Sequence, residues 1–286
     1  MLTLIEALSI AGDRGKQNDD ACGAAGAFAW VIDGATDLHE PPIAPAASDA
    51  AWLAHRLNAF LHRAARDLPA TEDALRGALR EASADARLAF SRFPQAAHAD
   101  PWASPLASAL IVAEADGGVI GLDLGDCRAF ALDAHGAAFM RGGPDGASDR
   151  EAAFAASFAH KDPPASGALY RTPDALAALR KARIQQIESA RPGVFCLSPA
   201  CADHARAWRL GLTRGAHILL CTDGLSALVD RYDAYDAGGV VRAALEKGLQ
   251  ELARELRAIE SEDAGGARHP RFKRCDDATG LLLRLD

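Results

Sequence analysis

A chain of 286 residues is long enough to bury a full core, and 49% hydrophobic against 24% charged residues excludes a disordered polymer. A formal charge of −8 lacks the basic face that a nucleic-acid backbone needs, so nucleic acid is not expected as a partner. No apolar run approaches the ~18 residues of a membrane span. The start, Met1-Leu2-Thr3-Leu4-Ile5-Glu6, does not read as a signal peptide, and the six cysteines contain no CxxC pair. The thiols therefore read as reduced and the protein as cytoplasmic, with no membrane partner.

In chain order, residues 2–10 read as a strand, 11–22 as a polar loop rich in Gly and Asp, and 26–32 as a buried strand. Helical spacing follows at 48–66, through Trp52, Leu53, Leu57, Phe60 and Leu61. A second helix starts after Thr71, whose hydroxyl suits an N-cap and whose successors Glu72 and Asp73 suit a first turn. Strands are expected at 106–115, 118–124, 127–133 and 136–141, with Asp116-Gly117 and His135-Gly136 as turns. Residues 142–192 are rich in Ala, Arg and Pro and read as an irregular insertion or flap with a helix near 173–190. Strands resume at 193–197, 206–212 and 216–222. A helix at 237–260 presents Val241, Leu245, Leu249, Leu252 and Leu256, and a last strand spans 278–285. Helices placed between runs of antiparallel strands imply an α+β layered sandwich in one domain, 1–286.

The chemistry lies in aspartates placed where apolar runs break off. Asp33-Gly34 ends Phe28-Ala29-Trp30-Val31-Ile32, and Asp223-Gly224 ends Ile218-Leu219-Leu220-Cys221-Thr222. Asn18-Asp19-Asp20, Gly125-Asp126 and Asp276-Asp277 flank other expected strands. A carboxylate at the end of a buried strand is costly to desolvate without a cation. Several of them converging would make an oxygen-rich pocket for hard divalent metals. Asp116-Gly117, between two strands, and Asp145-Gly146, in a polar stretch, serve as internal controls; both read as turns.

The motifs Gly12-Asp13-Arg14-Gly15-Lys16-Gln17-Asn18-Asp19-Asp20, Val31-Ile32-Asp33-Gly34-Ala35-Thr36, Leu124-Gly125-Asp126-Cys127-Arg128, Leu220-Cys221-Thr222-Asp223-Gly224-Leu225 and Asp276-Asp277-Ala278-Thr279 occur in the order found in the metal-dependent protein phosphatases of the 2C type. The chain resembles that family from about residue 9 to the C-terminus. The resemblance implies a four-layer α-β-β-α sandwich of two antiparallel sheets flanked by helices. It implies two Mn²⁺ or Mg²⁺ ions, with a third in many bacterial members, and a phosphorylated protein as substrate. It also implies hydrolysis of phosphoserine or phosphothreonine by a hydroxide bridging the two metals; a catalytically weak or silent phosphoprotein-binding module of the same fold and a phosphatase of small phosphoesters are the alternatives.

Carried over, Asp33 bridges the metals, the Gly34 carbonyl and Asp19 serve one of them, and Asp20 holds coordinated waters. Asp223 and Asp276 serve the other metal, and Asp126 with Asp223 the third. Ser108, opening the strand before the Gly-Asp motif, reads as structural. Two departures stand out. The family's phosphate-binding arginine falls at Gly15 or Lys16, so that either Arg14 or Lys16 takes the role, and a lysine lacks the bidentate fork. Where many eukaryotic members carry a histidine after Asp-Gly, this chain has Ala35; His39 nearby reads as a bystander.

Overall fold

The computed structural model describes residues 1–13, 15–159, 168–189 and 193–286. Two five-stranded antiparallel sheets form its centre. The first contains β1 (Leu2–Ile10), β10 (Ala278–Leu285), β9 (His217–Cys221), β6 (Arg128–Leu132) and β7 (Ala138–Arg141), in that order. The second runs β2 (Ala21–Ala25), β3 (Phe28–Gly34), β4 (Ala107–Ala115), β5 (Gly118–Leu124) and β8 (Arg206–Leu210).

The inner faces meet through Ala29, Val31, Leu110 and Val112 of one sheet and Ala129, Ala131, Ile218, Leu220 and Leu283 of the other. The outer face of the second sheet, including Trp30, Ile32 and Ile111, is covered by α1 (Asp49–Ala64) and α2 (Glu72–Phe90). The outer face of the first sheet is covered by α5 (Asp223–Asp230), α6 (Ala237–Lys247) and α7 (Leu249–Glu262). The result is the expected α-β-β-α layering. Both α1 and α2 begin where hydroxyls satisfy free amides: Ser48 accepts from Ala51 N at 2.9 Å and Thr71 from Ala74 N at 3.3 Å.

Several expectations need correction. The helix expected at 237–260 is two helices, because Gly248 at φ +84° and ψ 160° breaks the ladder. Leu245, expected on the apolar face, is 39% exposed. The strand expected at 193–197 is a single bridge, Ala107 to Phe195. Strand β2 lies partly in the expected loop; its sequence, Ala-Cys-Gly-Ala-Ala, has no β-branched residue to announce it. The 142–192 segment carries two helices, α3 (Ala147–Ala159) and α4 (Pro173–Ile187), where one was expected. Phe154 and Phe158 of α3 pack on Phe272, with ring centroids 5.4 and 6.4 Å away.

Candidate metal centre

Asp33 is the penultimate residue of strand β3, β9 leads through Thr222 into Asp223 at the first turn of α5, and Asp276 lies two residues before β10. Asp126 sits where the chain crosses from β5 in one sheet to β6 in the other. These ends come together in a cavity of about 260 Å³ lined by Asp33, Gly34, Asp126, Asp223 and Asp276. Asp19 lines an adjoining cavity of about 420 Å³, which shares Thr36, Tyr170, Lys273 and Asp276 with the first. Asp20 lies deeper, 3% exposed, where its carboxylate accepts the Thr222 hydroxyl at 2.9 Å.

The packing that makes this possible depends on glycine. Gly125 adopts φ +86°, and a Cβ there would overlap Ser108 Oγ, the hydroxyl that donates to Asp126 Oδ1 at 2.6 Å. Ser108 stands opposite Asp33 in the β3–β4 register, so one strand pair places both carboxylates. A Cβ at Gly224 would overlap the carbonyl of Asp277. Asp277 itself points inward and accepts the amides of Gly12 at 2.8 Å and Asp19 at 2.7 Å, pinning the acidic loop to the start of β10. Ser48, the N-cap of α1, donates to Asp19 Oδ1.

Crowded carboxylates hold protons at pH values where an isolated aspartate would not. Burial, then Asp223, Asp20, Asp126 and Asp276, pushes the Asp33 carboxyl well above its usual range. Burial, then Asp276, Asp126 and Glu151, pushes Asp223 up to about 8, although its side chain is hydrogen-bonded to Asp33. Asp19 is pushed up to about 6 by burial, against the Ser48 hydrogen bond. Asp20 is raised by burial and by Asp277. Asp276 goes the other way: burial would raise it, but the Lys273 ammonium 2.6 Å away holds it below the usual carboxylate range.

Four cationic side chains border the cavity without having been singled out in the sequence: Arg128, Arg183, Arg231 and Lys273. Arg128 pairs with Asp230 at 3.1 Å and Arg231 with Glu151 at 2.5 Å. Arg183 donates to the Thr36 carbonyl at 3.0 Å, and burial draws its guanidinium down to about 10. Glu151 and Arg183 belong to α3 and α4, whose sequence has no motif to mark them. Of the two expected phosphate ligands, Lys16 is exposed and donates to the Tyr170 hydroxyl at 3.2 Å; Arg14 lies outside the described residues.

His39 belongs to a different cluster. Ligand-type atoms of Asp37, His39 and Asp49 lie within 4.8 Å of one another. Asp49 accepts from His39 Nε2 at 3.0 Å, Ile43 N at 3.0 Å and Ala44 N at 2.7 Å, and Asp37 accepts the amides of Asp49 and Ala50. These carboxylates are occupied in tying the Pro-rich loop to the N-terminus of α1. Among the described residues no histidine lines the carboxylate cavity.

Residues 11–258 match the family model for protein phosphatase 2C. This chain belongs to that family. The match ends before Asp276. Among solved structures, the chain is similar to the Mycobacterium tuberculosis serine/threonine phosphatase PstP/Ppp, at 16% identity and TM-score 0.58, covering 100% of this chain and 99% of that one. It is similar to the catalytic domain of PstP in complex with two manganese ions, at 18% identity, TM-score 0.56 and full coverage of both chains. It is also similar to the phosphatase MsPP of Mycobacterium smegmatis in complex with cacodylate, at 18% identity and TM-score 0.53, covering 99% of this chain and 100% of that one. At these identities the likeness establishes the phosphatase fold. No curated protein matches this sequence.

Proposed function

We propose that this phosphatase hydrolyses phosphoserine and phosphothreonine in cytoplasmic signalling proteins, using two Mn²⁺ or Mg²⁺ ions held at the carboxylate cavity. The observation that carries this reading is the convergence of the half-buried Asp33 and Asp223 on one cavity, both raised above the usual carboxylate range and surrounded by further acids. Such a set is rich in hard oxygen donors, which fits divalent metals. A manganese-bound structural relative of similar fold supports the choice of ion.

In this reading Asp33 serves both ions, Gly34 O and Asp19 complete one site, and Asp223 and Asp276 complete the other. Asp20, on Thr222, orients water at the first site. Asp126, which accepts the Ser108 hydroxyl, would join Asp223 at a third ion. Bound there, the ions would activate water for attack and offset phosphoryl charge. The chain's own contribution is positional. Ser48, Ser108, Thr222 and the amides on Asp277 fix the acids, while Leu38, Leu179 and Phe272 supply an apolar wall that limits water. Tyr170 lines the carboxylate cavity and also the adjoining cavity that Lys16 borders.

The test is hydrolysis of p-nitrophenyl phosphate with and without Mn²⁺. Stimulation by Mn²⁺ in the wild type, with loss of roughly a hundredfold or more in Asp33→Asn, is expected. Wild-type protein inert with both Mn²⁺ and Mg²⁺ would remove the reading.

A further inference from the structure

We propose that Lys273 is a tethered cation with two successive partners: the Asp276 carboxylate in the metal-free protein, and the phosphoryl group of the substrate once divalent ions hold that carboxylate. The inference rests on the function proposed above and assigns the phosphate-binding cation that the displaced N-terminal arginine leaves open.

The partners of the cavity's cations separate Lys273 from the rest. Arg128 is committed to Asp230 and the Gly142 carbonyl, Arg183 to the Thr36 carbonyl, and Arg231 to Glu151. None of those acceptors belongs to the acidic set proposed to hold metal. Lys273 Nζ instead sits 2.6 Å from Asp276 Oδ1, a member of that set. A divalent ion arriving at Asp276 takes the ammonium's acceptor and repels it by like charge. The ammonium then has three N–H donors to offer beside a cavity into which a phosphate dianion must come.

The backbone around Lys273 is held, so the exchange falls to the side chain alone. Phe272 is clamped between Phe154 and Phe158, and its carbonyl accepts Tyr170 N at 3.2 Å. Arg271 is buried on Asp263 at 3.0 Å and also donates to the Arg274 carbonyl at 3.0 Å. On the other side, Arg257 donates to Asp276 O at 2.7 Å. Between these anchors the four-carbon stem of Lys273 borders both adjoining cavities, so its head can swing between them. Lys16 borders the adjoining cavity but not the carboxylate cavity, and donates to the Tyr170 hydroxyl.

Calorimetric titration of Mn²⁺ into wild type, Lys273→Met and Lys273→Arg, followed by inorganic phosphate into each Mn²⁺-loaded protein, reads both halves. The Met variant is expected to bind Mn²⁺ about three- to tenfold tighter, having lost its internal competitor. It should bind phosphate about tenfold more weakly, having lost a charge-assisted donor. Lys273→Arg should stay near wild type in both, and it carries the test if the Met variant fails to fold: an Arg variant whose Mn²⁺ affinity rises to the range predicted for Met overturns the proposal. Mn²⁺ affinity in the Met variant equal to or below wild type, or unchanged phosphate affinity, also overturns it. Wild-type protein that hydrolyses nothing would remove the proposed function while leaving both titrations readable, so the two failures are distinct.

Discussion

Asp33 and Asp223 line the same cavity, and burial with like charge holds both carboxyls above their usual range. A raised carboxyl contributes stability that is complete below its unfolded pKa, near 3.8, and lost as pH rises through its folded value, about 8 for Asp223. At pH 8 the metal-free protein therefore carries repulsion that an amide would relieve. Asp223→Asn is expected to melt higher than metal-free wild type at pH 8, by about 2–4 °C for each kcal/mol relieved. The same change should cost roughly a hundredfold or more in Mn²⁺-dependent hydrolysis. Thermal melts beside p-nitrophenyl phosphate assays read both; a variant that melts lower at pH 8 contradicts the electrostatic account.

At the scale of elements, the corners matter more than the strands they join. Gly125 holds φ +86° against Ser108, so Gly125→Ala is expected to cost about 2–4 kcal/mol in denaturant unfolding, combining backbone strain with overlap. Gly248→Ala, at the break between α6 and α7, should cost about 1–3 kcal/mol without touching the cavity, leaving hydrolysis per folded molecule unchanged. These corners also explain what was legible in the sequence. Asp33 and Asp223 could be found because each follows an apolar run and lacks a following hairpin partner, unlike Asp116. Strand β2 could not, being Ala- and Gly-rich and defined only by its register on β3. The break at Gly248 was hidden because Val241, Leu249, Leu252 and Leu256 keep apparent helical spacing across it. Lys273, Glu151 and Arg231 carried no signal: their role comes from long-range packing of the flap on Phe272 and of α5 beneath it, which no local pattern encodes.

Across the whole molecule, the sheets converge on an acidic pocket whose charge must be met by protons, by Lys273 or by metal. The raised acids, Asp19 at about 6 and Asp223 at about 8, withdraw stability from the metal-free protein as pH climbs through those values. Asp276, lowered by Lys273, has the opposite sign, and its contribution is lost only on acidification through its depressed value, below the ordinary 3.8. Metal must displace the protons on the raised acids, so Mn²⁺ is expected to raise the melting temperature more at pH 8 than at pH 6. Equal shifts at both values would contradict this. The most direct measurement is the manganese anomalous signal from crystals grown with Mn²⁺. The account predicts two peaks, one among Asp33, Asp223 and Asp276 and one beside Asp33, the Gly34 carbonyl and Asp19. Ordered crystals with no peak there, or with manganese only at the Asp37, His39 and Asp49 cluster, would contradict it.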